Sequence, residues 1–339
     1  MKKISLEDLA KKSGYSKSTV ARTISNPNAV SKKAKDKINK IINKTGYVHN
    51  SLASGLKSGK SGFVIAIIPT LKGSIFSDYI WGIKEELRKN GFQLLIGLTN
   101  YKLEREEDLV KKFLSYKPEG FIIVGTRHTE RTNSLLLASK LPIIETWNIT
   151  DKPMDLVVGF SNYSAGYQIT DYVVNLKYKK IAFATPVESF MENENRSKRR
   201  LNGYLSRIKE ANLKPVIFYY TQPMNHRICG EEIYTQFKKY KSKIDCIICG
   251  SEISGTGLLS EFLFRQIKVP KNIGVAGIGN AEITSLLQPQ LTTIDFRVEE
   301  ISTPRHIEPR GRFTVAKITL TNWETNRFCT NLARTLKIP

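Results

Sequence analysis

Apolar positions at the start of the chain recur at helical spacing, first over Leu6 to Ala10 and again over Val20 to Ile24. The run Ser13-Gly14-Tyr15 interrupts this pattern once, so two short helices joined by a tight turn are predicted. Ser5 and Ser16 stand just before the two patterns and belong to the residue types that cap helix N-termini.

A third helical pattern covers about residues 31 to 44, with Ala34 and Ile38 on its apolar side. The stretch from Ser51 to Gly62 that follows is rich in glycine and serine, which is typical of a linker. We therefore expect a small helical domain and its linker within residues 1–60.

Beyond residue 62, short apolar runs such as FVIAII, GFIIV and CIIC alternate with longer amphipathic segments. Continuous β-branched runs between helices are typical of parallel strands covered on both faces, which predicts an α/β fold with two lobes of doubly wound parallel sheet. Small ligands bind such sheets at the carboxyl ends of the strands. The predicted boundaries are 1–60 for the N-terminal domain and hinge, 61–160 with about 292–300 for the first lobe, 161–291 for the second lobe, and 301–339 for a tail.

Positive charge is concentrated at the start of the chain. Lys and Arg exceed Asp and Glu by 53 to 31, and residues 1–60 alone hold 14 basic and 3 acidic residues. A basic patch in one small domain is what neutralisation of nucleic-acid phosphates requires. A lysine-rich proteome would give the same excess without a nucleic-acid partner, so charge alone leaves both explanations open.

Other features restrict the function classes. Four cysteines in 339 residues are too few for a disulfide framework, and no charged-then-apolar signal peptide opens the chain, so we expect a cytoplasmic protein. The longest apolar runs span about 7 residues, far below the roughly 20 that cross a bilayer, and no membrane role is expected.

Partial motifs for catalysis are weak. Gly277-Ile278-Gly279 lacks the third glycine and the later acidic partner of a dinucleotide loop. Cys246 and Cys249 form a C-x-x-C with no second pair or histidine cluster, so a buried strand is favoured over zinc or redox chemistry. The four histidines form no evident nucleophile or metal constellation. We therefore expect neither an enzyme nor a cofactor.

The segment ISLEDLAKKSGYSKSTVARTISNPNAV, the hinge NSLASGL and the later PQLTTIDF resemble the lactose and galactose repressor family of bacterial regulators. The resemblance runs from about residue 3 to residue 300. It implies a three-helix helix-turn-helix domain, a hinge helix, and a two-lobed body like that of periplasmic binding proteins. It also implies a homodimer on a near-palindromic operator DNA.

By this resemblance Lys17, Ser18 and Arg22 lie on the recognition helix, where Arg22 can donate two hydrogen bonds to guanine O6 and N7. Outside this motif, an exposed arginine on a short helix is usually only solvated. In the hinge, Leu56 would act as an apolar wedge in the minor groove, and Gly55 would weaken the hinge helix by about 1 kcal/mol relative to alanine. The expected DNA-binding residues are Ser5, Tyr15, Ser16, Lys17, Ser18, Thr19, Arg22, Asn50, Ala53 and Leu56.

The resemblance places a small sugar or sugar-acid effector between the lobes. Arg200 matches the family's Arg-x-x-Gly, whose arginine holds a sugar substituent or an anion. The family often has an aspartate that grips sugar hydroxyls where this chain has Gly279-Asn280, which weakens the case for a neutral sugar. The stretch ETWNITDKPMDLVVGFSN resembles the gluconate and idonate regulators, and an arginine suits a carboxylate. The expected effector-binding residues are Thr70, Phe76, Glu145, Trp147, Arg200, Ser251, Glu252 and Asn280.

Residues 301–339 no longer resemble the family's closing helix and strand. Pro304 and Pro309 would break the helix expected to begin near Val298, leaving apolar surface of the first lobe uncovered. A frameshift or insertion in the gene is favoured over a lineage-specific tail.

The leading hypothesis is a sugar-acid repressor that leaves its operator when effector closes the lobes. The alternatives are a sugar-binding protein without a role on DNA, against which the helix-turn-helix segment argues, and an inactive product of a disrupted repressor gene.

Overall fold

The computed structural model describes residues 4–48, 61–73, 75–193, 195–240 and 243–302, without the side chains of residues 193 and 300. The chain divides between Ser61 and Gly62 into two compact units. The predicted hinge residues Asn50, Ala53 and Leu56 lie outside the described residues, as do residues 303–339 of the tail.

The N-terminal unit forms its helices where the apolar spacing predicts them. They are α1 (Leu6–Ser13), α2 (Lys17–Ser25) and α3 (Lys32–Thr45). Their apolar sides meet in a small core around Leu9, Val20 and Ile38, which are at most 1% exposed. Burial of this shared core stabilises helices that are too short to be stable alone.

The predicted caps of α1 and α2 are confirmed. The Asp8 backbone N–H donates to Ser5 Oγ at 3.2 Å, and the Asp8 carboxylate accepts from the Ser5 backbone N–H at 2.9 Å, which completes a capping box. The Thr19 backbone N–H donates to Ser16 Oγ at 3.1 Å. Between the helices, Gly14 has φ 71°, a left-handed conformation that favours glycine and makes the tight turn.

The body contains two five-stranded parallel sheets, as the alternating pattern predicts. The strands of the first are β1 (Phe63–Ile68), β2 (Gln93–Leu98), β3 (Gly120–Val124), β4 (Ile143–Thr146) and β5 (Leu156–Val158). Their spatial order is β2-β1-β3-β4-β5, and Ile65 of β1 pairs with Leu95 on one side and Phe121 on the other. The winding therefore reverses at β1, next to β3.

The second sheet repeats this topology. Its strands are β6 (Ile181–Pro186), β7 (Val216–Tyr220), β8 (Cys246–Cys249), β9 (Gly274–Ile278) and β10 (Thr292–Ile294). Their order is β10-β9-β8-β6-β7, which reverses at β6. Cys246 and Cys249 are fully buried within β8, so the interpretation of CIIC as a core strand is confirmed.

Helices cover both faces of each sheet. Those of the body, in chain order, are α4 (Phe76–Lys89), α5 (Leu103–Leu114), α6 (Glu130–Ser139), α7 (Asn162–Asn175), α8 (Glu188–Asn193), α9 (Asn195–Glu210), α10 (His226–Tyr240), α11 (Glu252–Phe264), the short α12 (Ile283–Leu286) and α13 (Val298–Ser302). In β1, Val64 and Ala66 pack in one core cluster with Ile80, while Ile65 packs on the other face with Val110. This two-sided burial explains the uninterrupted apolar run.

The chain returns to the first lobe slightly later than expected. The sequence placed about 292–300 in the first lobe, but Thr292–Ile294 pair with β9 as an edge strand of the second sheet. Helix α13 does pack against α4 of the first lobe. The Ser302 side chain of α13 lies so close to Gly82 of α4 that a Cβ at position 82 would clash with it.

An apolar cleft of about 410 Å³ lies beside α13, between α4 and the first sheet. Ile83 and Leu87 of α4 and Ile301 of α13 line it. Within the described part of the chain, no helix has both the length and the apolar character needed to span a membrane.

Candidate functional site

The exposed side of α2 carries the three residues expected to read DNA. Lys17, Ser18 and Arg22 are exposed, whereas Val20 and Thr23 on the opposite side are buried. We call Lys17, Ser18 and Arg22 the recognition strip. The Lys17 ammonium lies 3.9 Å from the Glu7 carboxylate, but these side chains are 63% and 66% exposed, so the pair is weak and leaves Lys17 available to an anion.

The other described candidates for DNA contact hold the two helices in position. Ser5 and Ser16 cap α1 and α2, and Thr19 Oγ1 lies 2.8 Å from Ser16 Oγ. Tyr15 is half-buried, with the Lys37 ammonium 5.6 Å from its ring centroid. These contacts fix the direction in which the recognition strip faces.

In the body, the two lobes enclose a crevice at the carboxyl ends of both sheets, where ligands of doubly wound folds bind. Its empty volume, open mouth included, is about 540 Å³. The structure brings together five of the predicted effector-binding residues in its lining, namely Phe76, Trp147, Arg200, Ser251 and Glu252. Sequence reasoning missed several others, among them Tyr101, Phe190, Arg196, Tyr220, Met224 and Phe296.

Trp147 stands at the centre of an aromatic wall. Its ring centroid lies 4.7 Å from that of Phe76 and 5.9 Å from that of Phe296. The side chain is 1% exposed, and its indole Nε1 has no hydrogen-bond acceptor among the described residues. Because a buried unsatisfied donor costs about 1–3 kcal/mol, an acceptor supplied by a ligand would stabilise this site.

Arg200 enters the crevice from α9 and is 8% exposed. Its Nε donates to Asn162 Oδ1 at 2.9 Å, and its Nη1 donates to the Gly250 carbonyl at 2.8 Å. The guanidinium carbon lies 5.1 Å from the Phe296 ring centroid, a cation–π arrangement. These contacts hold the guanidinium in one orientation at the crevice wall.

Arg196 lies one helical turn before Arg200 and is also buried, at 7% exposure. Its guanidinium carbon is 5.4 Å from the Phe76 ring centroid, so it reaches across the crevice to the first lobe. A spacing of four residues places the two arginines on the same face of α9. That spacing was visible in the sequence and could have identified Arg196 once Arg200 was chosen.

Glu252 begins α11 on the second-lobe side of the crevice. Burial raises the pKa of its carboxyl, while a backbone hydrogen bond at its own N–H, the charges of Arg200 and Arg196, and the Ile75 backbone N–H oppose that increase. A Cβ at Gly279, where φ is 109°, would lie 2.6 Å from Glu252 Oε2. The glycine thus makes room for the carboxylate, which contacts both lobes.

Three predicted effector-binding residues do not line this crevice. Thr70 Oγ1 accepts from the Lys72 backbone N–H at 2.9 Å within its own loop. Glu145 accepts from the Met154 backbone N–H at 2.7 Å, and Asn280 Oδ1 accepts from Thr284 Oγ1 at 2.9 Å. Each side chain is occupied by local structure instead of facing the cavity.

Two family profiles match the chain. The profile described as bacterial regulatory proteins, lacI family, covers residues 5–50, and that of a periplasmic binding protein-like domain covers residues 170–303. The chain is 25% identical over 289 residues to the HTH-type transcriptional regulator GntR of Escherichia coli (strain K12), which is 85% of this chain and 86% of GntR. It belongs to the lacI family.

Further relatives extend this comparison. The HTH-type transcriptional regulator IdnR of Escherichia coli (strain K12) is 27% identical over 297 residues, 86% of each chain. A lacI-family regulator of known structure from Silicibacter pomeroyi superposes with a TM-score of 0.80 at 27% identity, covering 88% of this chain and 89% of that one. The lac repressor dimer bound to operator shares the fold, with a TM-score of 0.74 at 18% identity over 89% of this chain and 90% of that one.

As a lacI-family member, the chain is a DNA-binding transcriptional regulator, and its family consists of regulators rather than enzymes. The family binds operator DNA and small sugar effectors. Among the described residues no three or more histidine, cysteine, aspartate or glutamate side chains are grouped to hold a metal ion.

A buried charge cluster supports the first-lobe side of the crevice. His128 Nδ1 lies 2.6 Å from Glu106 Oε1, and His128 Nε2 lies 3.4 Å from Glu145 Oε1. All three side chains are at most 6% exposed. Burial alone would lower the pKa of His128, but the hydrogen bonds and charges of both carboxylates raise it to about 9. The cluster ties the loop after β3 to α5 and β4.

We expect the stability of the protein to fall as the pH rises through this cluster. A histidine pKa of about 9, above the ordinary 6.5, stabilises the fold fully below pH 6.5 and loses that contribution as the pH approaches 9. The loss amounts to roughly 3 kcal/mol. Urea unfolding from pH 6.5 to 9.5 measures it, with His128→Gln as the comparison.

The His128→Gln variant should show a flatter pH profile over that interval. His226 does not interfere with this measurement. Burial lowers the pKa of His226, so its effect on the free energy of unfolding changes below pH 6.5 and outside the measured interval. Parallel profiles for the two proteins would show that His128 does not carry the effect.

Proposed function

We propose that this regulator is a repressor whose effector is a small sugar acid such as gluconate. The observation that carries the proposal is the pair Arg196 and Arg200, both nine-tenths buried on one face of α9 and both lining the crevice. Glu252 is the one carboxylate among the described lining residues, which together have a net positive charge. Arginine holds a carboxylate through charge-assisted bonds.

The rest of the lining suits the sugar part of such a ligand. Ser251 and Tyr101 line the crevice with hydroxyl oxygens that can accept hydrogen bonds, and the aromatic wall offers flat apolar surfaces to C–H groups. The buried indole N–H of Trp147 offers a donor that no described residue uses. The names of the relatives GntR and IdnR agree with a regulator of this kind.

Effector binding would favour closure of the lobes because several contacts cross the crevice. The Tyr101 hydroxyl donates to Met224 Sδ at 3.4 Å, and Arg127 donates to the Glu192 carbonyl. Asn148 of the first lobe lies 3.4 Å from Asn195 of the second, measured from Nδ2 to Oδ1. An anion bound by Arg196 and Arg200 of the second lobe, and touching the first lobe as well, would add to these contacts. The effector thereby shifts the population toward the closed arrangement by its differential affinity.

Closure would release the operator by separating the hinge segments of a homodimer.

Strand β2 is an edge of the first sheet and exposes Ile96 and Leu98, which are 38% and 39% exposed. Apolar edge strands are normally covered, and a second copy of the chain would cover this one. We therefore propose a homodimer that binds a near-palindromic operator in the absence of effector.

Calorimetric titration of the full chain tests the effector class. Gluconate should bind with a single affinity per chain, and glucose, which has the same carbon skeleton without the carboxylate, should bind at least about tenfold more weakly, a difference of about 1.4 kcal/mol. Equal binding of the two, or tighter binding of glucose, would contradict an acidic effector.

A further inference from the structure

The crevice continues into a second compartment on the first-lobe side. This compartment has an empty volume of about 410 Å³ and shares Tyr101 and Arg196 with the crevice described above. It lies at the carboxyl ends of β1, β2 and β3, lined there by Pro69, Thr99 and the segment Val124–Arg127. The volume and the shared residues make it an extension of the effector crevice.

Three basic side chains line this compartment. Lys102 precedes α5, Arg127 follows β3, and Arg196 comes from the second lobe. Lys102 and Arg127 are exposed, so they remain hydrated until an anion arrives. Arg127 also donates to the Glu192 carbonyl, which brings its guanidinium to the boundary between the lobes. Charges from both lobes therefore meet at one cavity.

The one carboxylate among the described residues of the lining is already engaged. Glu106 lines the compartment, but its Oε1 lies 2.6 Å from His128 Nδ1, and both side chains are buried. The hydrogen bond with Glu106 helps keep His128 charged, as its raised pKa of about 9 indicates. This pairing reduces the repulsion between Glu106 and an entering anion. Among the described residues of the lining, Lys102, Arg127 and Arg196 then carry the dominant charge.

We propose that this compartment binds a second anionic group of the effector, so that the effector is a dianionic sugar acid with a phosphate or a second carboxylate at its far end. The proposal rests on the proposed function, since Arg200 holds the first carboxylate. Arg196 and Arg200 are separated by about 6 Å along the helix axis. A six-carbon chain can bridge that separation and place an anionic group in each compartment. The second group also contacts residues of both lobes and favours their closure.

The test is calorimetric titration of the full chain with gluconate, 6-phosphogluconate and glucarate. The two dianions share the sugar-acid end and differ in the second anionic group. We expect at least one dianion to bind about tenfold more tightly than gluconate, equivalent to about 1.4 kcal/mol. If only 6-phosphogluconate gains affinity, the compartment selects phosphate; if glucarate gains as well, it accepts a carboxylate.

Substitutions of the basic side chains test whether this compartment causes the higher affinity for a dianion. Lys102→Gln and Arg127→Gln change exposed side chains and should reduce the affinity ratio of dianion to gluconate to about threefold or less. Lys111→Gln removes the same charge from the exposed surface near the other end of α5 and should leave the ratio unchanged.

The outcomes separate this proposal from the proposed function. Equal affinities for gluconate and both dianions, or a ratio that survives both substitutions, would overturn the second anion site while leaving the sugar-acid effector intact. Failure of all three acids to bind would overturn both.

Discussion

Replacing Arg22 by alanine is expected to remove operator specificity while leaving the protein folded. Arg22 is exposed on α2 and lies outside the core of Leu9, Val20 and Ile38, so its truncation opens no cavity. A bidentate arginine–guanine contact provides about 1–3 kcal/mol of base discrimination. The homodimer proposed above would lose it in both half-sites, which corresponds to a loss of operator affinity of roughly 30-fold to 10⁴-fold.

Fluorescence anisotropy on the operator and on a scrambled duplex of equal length measures this effect. Arg22→Ala should lower the affinity for the operator much more than the affinity for the scrambled duplex. Lys44→Ala is the matched control, because it removes one exposed positive charge from the last turn of α3, away from the recognition strip. If Arg22→Ala retained the preference for the operator, the assignment of α2 as the recognition helix would fail.

Replacing Arg200 is expected to uncouple the regulator from its effector. Its guanidinium is fixed by Asn162 and the Gly250 carbonyl and faces the crevice. Truncating one partner of a buried charge pair costs about 2–5 kcal/mol, so Arg200→Ala should lower gluconate affinity between roughly 30-fold and several thousandfold. Operator binding should persist, because the recognition strip belongs to the other compact unit.

Arg200→Lys is a second variant that stays informative if Arg200→Ala fails to fold. It keeps the positive charge but loses the forked geometry with which a guanidinium binds a carboxylate. Lys198→Ala is the matched control: Lys198 is an exposed positive charge on α9, two residues before Arg200, and does not line the crevice. Both Arg200 variants should remain on the operator at gluconate concentrations that release the wild type. Normal release of Arg200→Ala would exclude Arg200 as the residue that holds the carboxylate.

Local sequence patterns predicted the N-terminal unit well, because its determinants are local. The cap residues Ser5 and Ser16 and the turn residue Gly14 act within a few positions of themselves, and the short core pairs neighbouring helices. The strands of the body were similarly visible, since burial on both faces demands continuous apolar runs. The short strands β5 and β10 escaped detection because three residues give too little pattern.

The effector crevice was harder to predict because side-chain direction depends on strand alternation and on the opposite lobe. In β4, Thr146 Oγ1 accepts from the Tyr79 hydroxyl on the α4 side, so the preceding Glu145 points to the other side and meets His128. Sequence position alone placed Glu145 at the crevice. Phe190 and Met224 each come four residues after a strand, β6 and β7 respectively. The distance from the strand end left their direction open, and the packing of the two lobes brings them to the cavity.

In the proposed mechanism, one chain reads an operator with α2 and releases it when a sugar acid binds between its lobes. The most direct test is fluorescence anisotropy of the full chain on an operator selected from a pool of palindromic duplexes, at two salt concentrations, with and without gluconate. We expect operator binding at least roughly 10³-fold tighter than binding to a scrambled duplex, weakened steeply by salt and weakened again by gluconate. Operator binding that gluconate tightens or leaves unchanged would contradict this mechanism.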